Sequence, residues 1–274
     1  MEDGRISIFR PEKHYTRFVK SLDRMCMPVV PKDLFMEALH QLVQLDAAWV
    51  PEGADASLYI RPFMIASEER LGVKVADEYL FMVVASPAYQ YYTQPLRVKI
   101  ETGYVRAAEG GTGAAKCGGN YGAAFYPTQL AKNAGFDQVI WTDARQHEFI
   151  EESGTMNLMF IIDDVLLTPP LSGTILDGVT RDSLLTLARE AGMKVEERPV
   201  SYHEITKALI DGRKLEAFGA GTAAVVAPIA SITVDGQTYD CYIGKDALMY
   251  QLQQSLLDLR KGTRPDPNNW NYIL

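Results

Sequence analysis

A chain of 274 residues, 47% hydrophobic and 23% charged, can bury one large core or two of ordinary size. Its net charge of -8, from 27 basic against 35 acidic residues, argues against nucleic acid as a main partner, because phosphate contacts need clustered Lys and Arg. No apolar run approaches the roughly 18 residues of a membrane span, and the opening MEDGRISIFRPEK lacks a signal-peptide core. Three widely spaced cysteines, Cys26, Cys117 and Cys241, give neither a disulfide framework nor a metal pattern, so the expected compartment is the reducing cytoplasm.

In chain order, ISIF reads as a strand, followed by helices over EKHYTRFVKSLDRMC and PKDLFMEALHQLVQLDAAW. In the second helix Leu34, Phe35, Ala38, Leu39, Leu42 and Val43 make one apolar face. SLYIRPFMIA and YLFMVVASP read as buried strands, and the aromatic stretch PAYQYYTQP reads as an interdomain connection. Beyond it, LRVKI and QVIWT are strands, and NLMFIIDDVLLTPP is a hairpin about Asp163-Asp164. TRDSLLTLAREAG is a helix closed by Gly192, SYHEITKALIDG opens with a capping box of Ser201 and Glu204, and ASITVDGQTYD turns at Asp235-Gly236. KDALMYQLQQSLLDLRKG closes the chain as an amphipathic helix. The expected class is α+β, with two mixed α/β domains: 1–90 small, 91–96 connecting, 97–274 large.

Four segments could carry chemistry. GGTGAAKCGGNYG surrounds Lys116 with glycine and alanine, which suits either a flexible loop or a backbone passing close to a ligand. It is no P-loop, because Ala115 and Cys117 flank the lysine where Gly and Ser/Thr are needed. EESGTMN sets Glu151, Glu152, Thr155 and Asn157 at the start of an apolar strand, where carboxylates are commonly solvated. LDGVTRD places Gly178, Val179 and Thr180 before a helix, as an anion site or a plain N-cap. GAGTAAVV puts Thr222 among small residues. The histidines His14, His40, His147 and His203 lack metal-ligand spacing, and no G-x-S-x-G elbow is present.

Together GGTGAAKCGGNYG, EESGTMN, TPPLSGTILDGVTRD and FGAGTAAVVAP, with SLYIRP and RLGV upstream, resemble the branched-chain amino-acid aminotransferases. Those are pyridoxal-phosphate (PLP) enzymes of fold type IV, and the similarity runs over essentially the whole chain. The resemblance implies that Lys116 forms the Schiff base with PLP, that Tyr121 bonds its phenolic oxygen, and that Glu152 holds the pyridine nitrogen protonated. It makes Glu151 a neighbour off register, expected to be solvated. It implies a phosphate site of Arg17, Val179, Thr180 and Thr222. The substrate site it implies holds Tyr59, Arg61, Tyr91, Thr155, Met156 and Ala223, with Leu71 and Val73 reaching in from the second subunit of a homodimer. The implied reaction moves an amino group from leucine, isoleucine or valine to 2-oxoglutarate. The alternatives are a D-amino-acid aminotransferase, an aminodeoxychorismate lyase, or an inactive truncated chain that still binds PLP. The C-x-x-C redox pair of some relatives is replaced by Ala224 and Ala227. Family members begin several strands upstream, so the resemblance also implies that MEDGRISIFR is an internal hairpin. ISIF is then expected to lie open at a sheet edge, with the small domain loosened and catalysis weak.

Overall fold

A computed structural model describes residues 1, 4–53, 56–89 and 91–274. Glu2 and Asp3 of the opening segment and Gln90 of the expected connection lie outside the described residues. Contacts divide the chain into two units, Met1–Tyr91 with Leu257–Leu274, and Tyr92–Leu256. The tail thus joins the first unit, whereas the sequence boundary of 97–274 puts it with the second.

The first unit carries β1 (Ser7–Phe9), α1 (Pro11–Arg24), α2 (Lys32–Leu45), β2 (Ser57–Ala66) and β3 (Tyr79–Ala88). The second carries β4 (Leu96–Glu101), α3 (Gly119–Asn133), β5 (Gln138–Thr142), β6 (Ile150–Ser153), β7 (Met156–Ile162), β8 (Val165–Thr168) and α4 (Val179–Glu190). It continues with β9 (Lys194–Glu197), α5 (Tyr202–Ile210), β10 (Leu215–Gly221), β11 (Val225–Val234), β12 (Gln237–Asp240) and the start of α6 (Leu248–Lys261). A last strand, β13 (Asn271–Ile273), follows.

In the first unit Phe35 is fully buried, with the rings of Tyr15, Phe18 and Phe81 at 5.1, 5.5 and 6.0 Å. Leu22, Leu39 and Val43 extend this core along the helices' apolar stripes. Two expectations change here. The first strand has a hydrogen-bonded neighbour, because β1 pairs antiparallel with β13 from the far end of the sequence, Ser7 opposite Ile273 and Phe9 opposite Asn271, although as one of two strands it is still a sheet edge. The segments read as buried strands are β2 and β3, a hairpin paired from Ser57–Ala88 to Ala66–Tyr79 whose residues are half-buried or exposed. A two-stranded ribbon presents two faces to be covered, and α2 packs against β3.

The second unit is built on a nine-stranded sheet. Its pairing runs β10–β11–β4–β5–β6–β7, and β7 pairs again with β10, so the path closes on itself. Closure hides strand edges and encloses a core. Every residue of β7 is buried because both of its faces are covered. Leu158, Phe160 and Ile162 point with Ile100, Ile140 and Ile229 into one cluster. Phe160 has no exposed surface, so Phe160→Ala should cost about 3–5 kcal/mol in urea unfolding.

The Asp163-Asp164 turn has φ of 47° and 65°, and Asp235-Gly236 has 50° and 76°, both within hairpins as read. At the end of α4, Met193 N–H bonds Ala188 O and Gly192 N–H bonds Arg189 O, with Gly192 at φ +78°. The capping box does not form as read. Ser201 caps α5 through the His203 N–H at 3.2 Å, but Glu204 turns to Arg198 at 2.6 and 2.9 Å, because a charged fork outcompetes one amide.

Candidate active site

The glycine run answers to two different demands. A Cβ on Gly113 would stand 2.6 Å from both Ala107 Cβ and Thr174 O, so close backbone approach excludes any side chain there. Gly118, Gly119 and Gly122 meet nothing within 4 Å and open onto space beside the lysine. Asn120 fixes the loop between them. Its Nδ2 donates to Thr112 O at 2.9 Å and Ala115 O at 2.8 Å, and its Oδ1 accepts from Thr112 Oγ1 at 2.7 Å. The run then becomes α3, a helix not anticipated from so much glycine and an internal Pro127. Ala124, Pro127 and Ala131 bury one face of it, and Ala124 and Ala131 pack with Val139 and Trp141 of β5.

This arrangement places Lys116, which is exposed, with Nζ donating to Tyr121 Oη at 3.3 Å. Both line a recess shared with Arg106, Glu152, Thr155 and Leu176. Glu152 sits on β6 and is 3% exposed. Its Oε1 accepts the Leu176 N–H at 2.8 Å and its Oε2 lies 3.3 Å from Arg106 Nε. Burial pushes its carboxyl up to about 7, against the pull of Arg106 and the Leu176 amide. Arg106 has no signal in the sequence, because a lone arginine in GYVRAAEGG carries no pattern.

Glu151 corrects an expectation. It is buried, not solvated: β6 lies inside a closed sheet, so both faces of the strand are covered. Thr174 Oγ1 donates to its Oε1, its Oε2 has no hydrogen-bond partner among the described residues, and burial raises its carboxyl above the ordinary value.

A second cluster forms at the start of α4. Gly178 is the N-cap, no side chain caps the first turn, and Val179 and Thr180 are buried. Thr180 is therefore inside the helix rather than capping it, and the first-turn amides suit an anion. Asn157 ties this turn to Glu152: its Nδ2 donates to Leu176 O at 2.9 Å and lies 3.5 Å from Glu152 Oε1. A Cβ on Gly178 would stand 1.9 Å from Asn157 Oδ1. Gly178→Ala should therefore cost about 1–3 kcal/mol in urea unfolding, as overpacking does in a filled site.

The remaining positions are distributed as follows. Thr222 and Ala223 are exposed in the turn between β10 and β11, where Val225 is held at φ 55°, a strained value for a β-branched residue. Thr155 is exposed in the β6–β7 turn, whereas Met156 is 4% exposed and its side chain approaches Gly219. In the first unit Arg17 is half-buried on α1, with Nη2 3.3 Å from His14 Nδ1. Arg61 stands 5.3 Å over the Tyr59 ring on one face of β2. Tyr91 is exposed, and Leu71 and Val73 are fully exposed in the loop joining β2 to β3. Glu68 closes that loop by accepting the Asp77 N–H at 2.9 Å.

Residues 1–232 match the amino-transferase class IV family. The chain is 43% identical over 276 residues to branched-chain-amino-acid transaminase 1 of Bacillus subtilis, spanning 98% of this chain and 77% of that one. It is 44% identical to a probable branched-chain-amino-acid aminotransferase of Streptomyces coelicolor, over 99% and 76% of the two chains. Among solved structures, the PLP form of the branched-chain aminotransferase from Thermobaculum terrenum superposes with a TM-score of 0.85 at 25% identity, over 99% of this chain and 85% of that one. The Escherichia coli branched-chain aminotransferase gives 0.79 at 28% identity, over 97% and 84%. The chain has the type IV aminotransferase fold and belongs to the class IV aminotransferase family.

Proposed function

We propose that this chain is a PLP-dependent transaminase that moves the amino group of leucine, isoleucine or valine to 2-oxoglutarate. One observation carries the reading: the second unit offers a lysine beside a tyrosine hydroxyl, a buried carboxylate, and an uncapped helix start. Those three match the aldehyde, ring nitrogen and phosphate of pyridoxal phosphate. The names of the relatives supply the substrate class.

In this reading PLP, when bound, supplies an electron sink for the pair left behind as the substrate loses its α-proton. Lys116 attaches the cofactor and carries that proton. Tyr121, 3.3 Å from the amine, hydrogen-bonds the phenolic oxygen. Glu152 keeps a proton on the ring nitrogen. Val179 and Thr180 amides hold phosphate with Thr222 and Arg17. Tyr59, Arg61, Tyr91, Thr155, Met156 and Ala223 form the substrate site. The fully exposed Leu71 and Val73 complete the site of a second copy in a homodimer.

Among the described residues no helix is long and apolar enough to cross a membrane, and three free cysteines suit the cytoplasm we assign. The deciding experiment follows turnover with leucine and 2-oxoglutarate beside D-alanine, together with cofactor absorbance. Leucine turnover supports the reading; D-alanine turnover alone, or bound cofactor with no turnover, rejects it.

Thiol control through the β11 start is absent in this reading, since Ala224 and Ala227 stand there and Ala227 is buried. Mild peroxide should leave activity within about twofold, because oxidation follows exposed thiolates. Cys117, half-buried beside Lys116, is the alternative target, so inactivation that persists in Cys117→Ser counts against the expectation.

A further inference from the structure

We propose that Arg106 is a positioning residue of the cofactor site, holding Glu152 as a carboxylate aimed into the recess so that the proton it shares with the cofactor ring stays on the ring. The inference rests on the proposed PLP chemistry and extends it to a residue on the loop after β4.

The geometry is specific. Arg106 is 8% exposed, and its guanidinium is oriented from behind by Thr174 O and by Gly113 O at 3.4 Å. Those two carbonyls occupy Nη2, and Nε lies 3.3 Å from Glu152 Oε2, an ion-pair distance without a hydrogen bond from Nε among the described residues. Glu152 is almost shut off from water, which favours its protonated form, and Arg106 pulls the other way.

The groups bearing on Glu152 are Arg106, the Leu176 amide, Glu151 and Lys116. Of these, Glu151 is the rival for Arg106. Burial raises the Glu151 carboxyl while the Thr174 hydroxyl and Arg106 pull it down, and of the two carboxylates Glu152 is the one at ion-pair distance from Arg106. Two adjacent carboxylates of β6 thus have different neighbours, Glu151 the Thr174 hydroxyl and Glu152 the Arg106 guanidinium.

An opposite charge within about 4–6 Å shifts the proton affinity of a carboxylate by about 1–3 units. Removing it should move the proton from ring to carboxylate by about 10- to 1,000-fold. A purely structural arginine would instead lower stability and cofactor affinity without changing where that proton sits.

The experiment loads the protein with PLP isotopically labelled at the ring nitrogen and reads that nitrogen by NMR, beside leucine kinetics. In the parent the nitrogen should resonate as protonated. Arg106→Gln should move it toward the unprotonated position and lower kcat more than it raises KM. Arg106→Lys, which keeps the charge, should retain a protonated ring. On a Glu152→Gln background, Arg106→Gln should add no further shift.

A protonated ring in Arg106→Gln, with kcat within about twofold of the parent, overturns the proposal while leaving the PLP reading intact. Should Arg106→Gln fail to fold or hold cofactor, an unprotonated ring in Arg106→Lys overturns it equally, and a protonated one supports it. A parent chain with no bound nitrogen signal overturns both the proposal and the reading beneath it.

Discussion

Lys116→Ala should leave a folded protein that has lost the visible absorbance of attached cofactor and transaminates leucine at least about 10²- to 10⁴-fold more slowly, the range for removing a positioned proton carrier. The expectation follows from placement. Lys116 is the lysine that lines the recess among the described residues, 3.3 Å from the Tyr121 hydroxyl. The loop that presents it is fixed by Asn120 and by the Gly113 contact, neither of which involves the lysine side chain. Stability should accordingly change little, because the side chain is exposed. Turnover at the parent rate in Lys116→Ala would refute the assignment, whatever the spectrum shows.

Glu152→Gln should keep cofactor bound and slow turnover by about 10²- to 10³-fold, as expected when one preorganised electrostatic partner is neutralised. Glu151→Gln should be milder, because its carboxyl sits on Thr174 rather than facing the ring site. The reverse ranking would place the functional carboxylate one residue earlier.

The same residue makes a pH prediction for the cofactor-free protein. Burial raises Glu152 from the ordinary 4.5 to about 7, so between those values the folded state binds a proton that the unfolded chain has released. Stability contributed by this group is therefore highest below pH 4.5, falls as pH rises, and is fully lost above pH 7. A shift of that size is worth roughly 3 kcal/mol. Glu152→Gln removes the penalty, so its stability relative to the parent should rise between pH 5 and pH 8 by about that amount in urea titrations. A constant difference across that range would show that Glu152 is ionised even without cofactor.

Where structure follows from neighbours in sequence, the chain is legible. Aspartates and glycine tolerate the positive φ that the Asp163-Asp164 and Asp235-Gly236 turns demand, so both hairpins are written locally. The Gly192 terminus of α4 and the Phe35, Leu39 and Val43 stripe of α2 are likewise set within a few residues, whereas Leu34, read into that face, is 55% exposed. The site motifs are legible for a related reason. Lysine among small residues and a glycine before a helix are short patterns tied to backbone geometry, and several in one order identify a family.

Other features arise only when distant segments meet. The helix α3 runs through glycines and Pro127 against its own propensity, and packing on Val139 and Trp141 makes it worthwhile. The strand β1 finds its partner in β13 across nearly the whole chain. Glu216, fully buried on β10, receives the Leu248 and Met249 amides at 3.0 and 2.9 Å and so anchors the start of α6 from another part of the sequence. The sequence by itself determined a resemblance to one family, and with it the residues expected to do pyridoxal chemistry, because several short motifs in one order are a local property of the chain. Burial raised the proton affinity of the two adjacent glutamates, and the closed sheet set Arg106 beside one of them, because desolvation and ion pairing depend on what that sheet brings around β6 rather than on the residues beside them in the chain.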